Sequence, residues 1–322
     1  MTTAEILAAI PKLRALVVGD VCLDRWCSYD PALAEPSRET GLARVAVVST
    51  EVTPGAAGTV ANNLAALRTR RVEVLGIVGD DGFGYELERG LRMRGIGTEL
   101  LIRAPQIPTF TYTKLLNART GAEDLPRLDF VNAQTIPEKL DCELVSRFEQ
   151  AAPEFDVILV SDQAETMQGG AVTPRLRAAL ERTAASSLRA VIWVDSRMRA
   201  EHFRGVIVKP NQQEAEAACL RAVQRVDFAA LRRHMASPLL VITHGGQGAL
   251  LIHEGGETWA PARHIPNPVD ICGAGDSFSA GAALALRITG DPIAAARFGN
   301  QVAGVTIMKK GTGSANPEEL SG

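Results

Sequence analysis

Short, almost uninterrupted apolar runs recur at 15–18, 72–78, 157–160, 190–194, 206–208 and 239–243, each too short for a typical helix. Between them, 85–94, 173–186 and 212–220 carry apolar residues at helical spacing, with charged residues on the opposite side. Strands that are apolar on both faces and alternate with helices predict an α/β fold. Its central sheet should be mainly parallel and covered by helices on both sides, in three layers. Two segments break the rhythm. Residues 26–53 and 108–130 alternate polar and apolar positions between turn signals, which predicts a small β-sheet lid standing off the main layers. With no internal repeat and no low-complexity linker, residues 1–322 are expected to form one domain that includes this lid. Ligands of such sheets sit beyond the C-terminal ends of the strands, and Asp24 and the loop at Gly55 both follow predicted strands.

Composition narrows the picture. The formal net charge is −3, so nothing draws the whole molecule to nucleic acid or to an anionic membrane, and an anionic ligand must be held by local groups. Five cysteines without a Cys-x-x-Cys pair fit reduced thiols better than a disulfide framework or a zinc site. No apolar run is long enough to span a bilayer and no secretory h-region opens the chain, so a cytoplasmic location is expected.

The chemistry concentrates in Asp270-Ile-Cys-Gly-Ala-Gly-Asp-Ser-Phe-Ser-Ala-Gly281. Gly273, Ala274 and Gly275 can form a tight turn with unpaired backbone N–H groups, and the small, apolar residues from Phe278 to Leu286 read as a buried helix. A helix N-terminus behind a glycine turn is an anion site. A carboxylate at its mouth, Asp276, repels phosphate unless its task is to take a proton from an attacking hydroxyl. An Asp that merely caps the helix is the plain alternative.

The whole segment resembles the C-terminal signature of the ribokinase-like (PfkB) carbohydrate kinases, and further motifs follow in order. Val17-Val-Gly-Asp-Val-Cys-Leu-Asp24 is similar to the family's first strand, and Pro54-Gly-Ala-Ala-Gly-Thr-Val-Ala-Asn-Asn63 to its glycine-rich signature. Gly76-Ile-Val-Gly-Asp-Asp-Gly-Phe-Gly84, Pro210-Asn-Gln-Gln-Glu214 and Thr243-His-Gly-Gly-Gln-Gly248 look like its later elements. The resemblance implies a ribokinase-like fold with a lid and ATP-dependent transfer of a phosphoryl group to a sugar hydroxyl. It makes Asp276 the base and Gly273, Ala274 and Gly275 the anion hole. Asp24 would accept sugar hydroxyls, or simply close the strand end. Lys209, Thr243, Gly246, Gly248 and Asn300 fall on the nucleotide side, Asn300 with a plain structural alternative. Asn211 and Glu214 would organise Mg²⁺ through its waters, although that spacing also suits a helix cap. The loops at Asp270 and Lys309 hold a monovalent cation such as K⁺ in many relatives.

The start of the chain is most similar to the subgroup that phosphorylates heptose 7-phosphate at its anomeric hydroxyl. Lys114 and Arg127 from the lid, with Asp162 and Arg197, would then face the acceptor, the two lid cations holding its phosphate unless they only line a solvated ribbon. The chain departs from that subgroup at the acceptor side. Pro-Gly-Gly-Ala-Ala-Asn becomes Pro54-Gly-Ala-Ala-Gly-Thr59, and the aromatic-x-Lys-Gly run after Asp162 becomes Gln163-Ala-Glu-Thr166. Gly55, Ala56 and Thr59 are therefore expected at the acceptor, with altered selectivity. Two alternatives stay open: a kinase of another sugar or a nucleoside, and a binding protein without turnover. Cys272 stands where relatives have Thr, as a helix-end thiol of lowered pKa or an inert small residue. Exposed lid edges point to a homodimer.

Overall fold

The computed structural model describes residues 1–166, 168–186 and 190–321. Its strands, in chain order, are β1 (Arg14–Gly19), β2 (Val21–Tyr29), β3 (Val47–Ala56), β4 (Arg71–Leu75), β5 (Ile77–Gly79), β6 (Ile102–Ala104) and β7 (Thr111–Asn117). They continue as β8 (Leu128–Phe130), β9 (Val157–Asp162), β10 (Val191–Ser196), β11 (Ile207–Val208), β12 (Leu239–Thr243), β13 (Gly248–His253) and β14 (Gly256–Pro261). The main sheet runs β14-β13-β12-β11-β10-β9-β1-β4 and is parallel from β4 to β12. β13 and β14 close one side as an antiparallel hairpin.

The apolar runs explain why this sheet is sandwiched. Along β1, Ala15 and Val17 face one core while Leu16 and Val18 face the other, and β9 divides in the same way. The first core is filled by Thr3–Ala9, Ala57–Ala66, Gly82–Arg92, Ala274–Thr289 and Pro292–Thr306. Glu138–Ala151, Pro174–Ala185, Gln212–Val223 and Phe228–His234 fill the second. Trp193, Phe148, Phe203 and Phe298 are fully buried, each worth about 1.5–3 kcal/mol on an area basis. The expected mainly parallel three-layer α/β fold is borne out.

The run at 72–78 is one place where sequence and structure differ. It splits at Gly76, where a Cβ would stand 2.6 Å from the Gly19 carbonyl oxygen, so only glycine lets the two chains approach. β5 then leaves the main sheet and pairs with β6. A second sheet is ordered β3-β2-β7-β8, and its residues share a cavity with Gln163 and Arg197, which follow the C-terminal ends of β9 and β10. It reaches back to Val21 and on to Ala56, beyond the 26–53 limits read from alternation. No helix among the described residues is long and apolar enough to cross a membrane.

Candidate active site

Ala274–Thr289 begins at Gly273, whose φ of 77° and ψ of 6° are left-handed and which offers no side-chain cap. From Ser277 to Ala285 the helix is buried, because its residues are small or apolar on every side. Its amino end is left bare. The N–H groups of Gly275 and Asp276 have no acceptor among the described residues, as an anion site requires. Behind this turn, the buried Lys209 pairs with Asp195 at 2.8 Å, and a Cβ on Gly275 would lie 3.4 Å from the Lys209 Nζ. Burial works against the Lys209 charge, but the carboxylates of Asp195, Glu214 and Asp276 outweigh it and hold the ammonium above its ordinary pKa.

Asp276 sits in the first turn and faces a cavity of about 180 Å³. Burial first, then the Asp195 charge, push its carboxyl up to about 7, with Lys209 and Arg197 opposing. That value suits a group that must accept a proton near neutrality. Asp24 lines the same cavity from β2. Burial raises it to about 6, against the Cys22 thiol, which donates to Oδ1 at 3.7 Å, and the Lys114 and Arg127 charges. Gly55 makes room for it, since a Cβ there would stand 2.5 Å from the Asp24 carboxylate.

The remaining wall is basic. Lys114 and Arg127 project from the lid, Arg197 follows β10, and each carries a carboxylate partner. Lys114 lies 3.4 Å from Glu123, Arg127 binds both oxygens of Asp129 at 2.8 and 2.7 Å, and Arg197 pairs with Glu165. Arg25 also touches the cavity, but its side chain lies with Thr113, whose Oγ1 accepts from the Arg25 Nη1 at 3.5 Å, on the face of β2 opposite Asp24. Its guanidinium stacks 4.6 Å over Phe83, and its buried Nε has no partner among the described residues.

The sequence matches the pfkB family carbohydrate kinase profile over residues 15–319. The chain belongs to the pfkB family of carbohydrate kinases. It is therefore a phosphotransferase with an alcohol group as acceptor. It is 30% identical over 325 residues to the bifunctional protein HldE of Rhodopseudomonas palustris, covering 98% of this chain and 64% of that protein. The chain thus spans less than two thirds of that relative's length. A ribokinase from Thermotoga maritima has the same fold at a TM-score of 0.71 and 19% identity, over 96% of this chain and 98% of that one. So does an Arabidopsis thaliana ribokinase complexed with ribose and ATP, at 0.67 and 16%, over 96% and 97%.

Within this frame, Asp24, Ala56, Thr59, Lys114, Arg127, Arg197, Gly273 and Asp276 all line one cavity. Asp162 does not. It is 1% exposed, and its oxygens accept from Arg199 and from Ser196 Oγ (2.6 Å), so its charge is spent inside the protein. This corrects its assignment to the acceptor. Asn211 and Glu214 form a reciprocal helix cap, Asn211 Oδ1 accepting the Glu214 N–H at 2.9 Å and Glu214 Oε2 accepting the Asn211 N–H at 2.8 Å. Glu214 Oε1 has no partner among the described residues and remains free to bind a hydrated cation. Asp270 accepts from the Cys272 N–H at 2.9 Å and the Gly311 N–H at 3.1 Å, tying together the two loops expected around a monovalent cation.

On the nucleotide side, Thr243 ends β12 and Gly246 lies within the short 3-10 turn Gly245–Gln247. Gly248 has a packing reason of its own: its φ is 121°, and a Cβ would meet the Ala260 carbonyl oxygen at 2.2 Å. Asn300 Nδ2 donates to the Ala260 carbonyl at 3.2 Å and fixes its helix against β14. Cys272 lines the cavity, and partial burial with the Asp24 and Asp270 charges raises its thiol, which favours the inert reading.

Tyr112 and Arg25 are among the cavity residues that the sequence reading did not assign to the site. Tyr112 Oη is buried without a partner among the described residues, and its ring lies 4.5 Å below the Arg127 guanidinium. Tyr112 alternates with buried Thr111 and Thr113 and so shares the face of Lys114, a signal that was available. Arg25 follows Asp24 and by alternation points to the other face of β2, so no local pattern marks it as touching the cavity.

Proposed function

We propose that the chain transfers the γ-phosphoryl group of ATP to a hydroxyl of a phosphorylated sugar, with heptose 7-phosphate at its anomeric hydroxyl as the reference acceptor. The observation that carries this reading is one cavity in which Asp276 and Asp24 share the wall with Lys114, Arg127 and Arg197. Two carboxylates can orient and deprotonate hydroxyls, and three cations suit a second, non-reacting phosphate. Asp276 takes the acceptor proton as the oxygen attacks phosphorus and the bond to ADP breaks. The bare N–H groups of Gly275 and Asp276, with Lys209 behind them, receive the charge of the transferring group. A hydrated Mg²⁺ near Glu214 would offset charge on the nucleotide phosphates. The tied loops at Asp270 and Gly311 would present backbone oxygens to K⁺. The outer half of β3, with Val47, Val48 and Val52 exposed on an edge strand, would pair in a homodimer, which sedimentation against concentration tests.

A second reading has its own support. Glu165, paired with Arg197, removes one positive charge from the ring and favours an unphosphorylated sugar or nucleoside. ADP release with Mg-ATP over a panel of hexoses, pentoses, nucleosides and sugar phosphates separates the two. Turnover confined to phosphorylated acceptors, heptose 7-phosphate among them, supports the first. Equal or faster turnover of unphosphorylated acceptors overturns it.

A further inference from the structure

A buried carboxylate that the transfer chemistry does not use ties together two chain segments that line the cavity. Gly19 ends β1 at φ 129°, where a Cβ would stand 2.2 Å from the Ser161 carbonyl oxygen, so only glycine lets the chain turn this close to β9. Asp20 follows and is 5% exposed. Its Oδ2 accepts the N–H groups of Gln163 and Ala164 at 2.8 and 2.9 Å, and its Oδ1 accepts that of Ala171 at 2.6 Å. A second glycine makes room for this: Gly170 has φ 92°, and a Cβ there would stand 2.9 Å from Oδ1. The main chain of Asp20 is engaged as well, its N–H donating to the Ser161 carbonyl and its carbonyl accepting the Ala57 N–H, both at 2.9 Å. Arg199, paired with Asp162, adds a bond from Nη1 to the Gly169 carbonyl at 3.2 Å.

The described residues between β9 and the helix Pro174–Ala185 form neither helix nor strand, so bonds to Asp20 and Arg199 supply the order that a ladder would otherwise give. Their effect reaches the site because this segment enters it. Gln163 and Glu165 line the same cavity as Asp24 and Asp276, and Glu165 there pairs with Arg197. Ala56 and Thr59, on either side of the Ala57 N–H that Asp20 fixes, line it too. Asp20 itself borders a second, smaller cavity of about 30 Å³, which Glu165 shares. Burying a carboxylate is unfavourable unless it is fully bonded, and here each N–H bonded to the side chain belongs to the one segment that carries Gln163 and Glu165. Resting on the reading of the larger cavity as the acceptor site, we propose that Asp20 is a positioning residue for the acceptor. It does not touch the sugar; it holds Gln163 and Glu165 where they face it.

Asp20→Asn keeps the volume but turns one accepting oxygen into a donor, so at least one of the three amides loses its partner. Hydrogen exchange at the Gln163, Ala164 and Ala171 amides should quicken by about 10- to 100-fold. In ADP release with Mg-ATP, the acceptor KM should rise about tenfold while kcat and the KM for ATP stay within about twofold. The acceptor is heptose 7-phosphate, or whichever compound of the panel above is turned over faster. Gly170→Ala drives a Cβ toward Oδ1 with the charge unchanged. It should shift both readouts in the same direction, and it serves where Asp20→Asn does not fold. In a Glu165→Ala background the KM effect of Asp20→Asn should shrink, because a residue it positions is gone. A purely structural carboxylate would lower Tm and leave the acceptor KM of the folded protein unmoved. That result, unchanged exchange, equal rises in both KM values, or a KM effect undiminished by Glu165→Ala overturns the proposal. If nothing in the panel is turned over, or turnover survives Asp276→Asn, the transfer reading is what fails. Isothermal titration of heptose 7-phosphate then decides alone: about tenfold weaker binding in Asp20→Asn upholds the positioning role, and equal or absent binding overturns it.

Discussion

Two helices begin at the same cavity without a side-chain cap, and they begin differently. Ala274–Thr289 starts from Gly273 at φ 77°, whereas Ala57–Ala66 starts from Ala56 at φ 51°. At the first, glycine supplies the turn at no steric cost and leaves amides bare for a transferring phosphoryl group. At the second, a methyl group is forced into a conformation worth about 1–3 kcal/mol of strain and lines the cavity proposed for the acceptor. The difference separates two demands on one site. Transfer needs open backbone, and that end keeps the form that provides it. Acceptor choice needs shape, and on the proposed reading the strained Ala56 end contributes to it.

The sharpest way to break this division is at Asp276. If the transfer end performs the chemistry, Asp276→Asn should lower kcat by about 10²- to 10⁴-fold while acceptor binding by titration changes little. The pH dependence follows from the same carboxyl. Its ionised form is the base, so kcat/KM should rise with pH with a midpoint near the value of about 7 that burial imposes. Stability runs the other way. The folded state favours the protonated carboxyl, so its ionisation costs nothing below the ordinary value of 3.8 and costs most above about 7. Asp276→Asn should therefore raise Tm at pH 8, and the gain should vanish as pH falls toward 4. A loss of Tm at pH 8 would mean that Asp276 is a structural cap and not a poised base.

Behind the transfer turn lies a charge pair with no counterpart behind Ala56. Lys209 Nζ and Asp195 Oδ2 are 2.8 Å apart and nearly sealed, with side chains 4% and 12% exposed. Lys209→Met would leave Asp195 buried and unpaired, at a cost of about 3–5 kcal/mol in unfolding free energy by denaturant titration. With its Lys209 neighbour gone, the Asp276 carboxyl would also rise further, moving the pH midpoint upward. An unmoved midpoint would sever the link between the buried pair and the base.

The two ends were also unequally legible in the sequence. Gly273 and Asp276 stand in a short contiguous segment, and β1, β9 and β12 are apolar on both faces, so local pattern suffices for the transfer end and its sheet. The acceptor end is assembled from distant pieces. Nothing near Asp162 marks Arg199 as the partner that withdraws it from the cavity, nor does anything near Gly76 mark the Gly19 carbonyl that splits a strand there. Tyr112 could have been found from its alternation with Lys114, but Arg25 could not. Ala56 was noticeable as an added methyl group. Its positive φ was not, because that conformation is imposed by pairing with Val21 and by the Asp20 carbonyl, both outside the motif.

The smallest expected effects come from exchanging the two residues that open these helices. Gly273→Ala puts a Cβ at φ 77° and 3.3 Å from the methyl groups of both Thr59 and Thr312. The left-handed backbone alone costs about 1–2 kcal/mol, and displacement of the turn should lower kcat more than it raises acceptor KM. Ala56→Gly should act in the opposite sense. Relief of about 1–3 kcal/mol of strain is partly offset by about 0.5–1 kcal/mol of extra chain entropy in the unfolded state, leaving a net gain near 1 kcal/mol. For a chain of this length that is a rise in Tm on the order of 2 °C. Scanning calorimetry of the two variants side by side decides the matter. Opposite signs mean that the alanine is tolerated for its place in the acceptor wall. A fall in Tm for Ala56→Gly would mean that its methyl group is part of the packing, and the contrast between the two helix ends would lose its energetic basis.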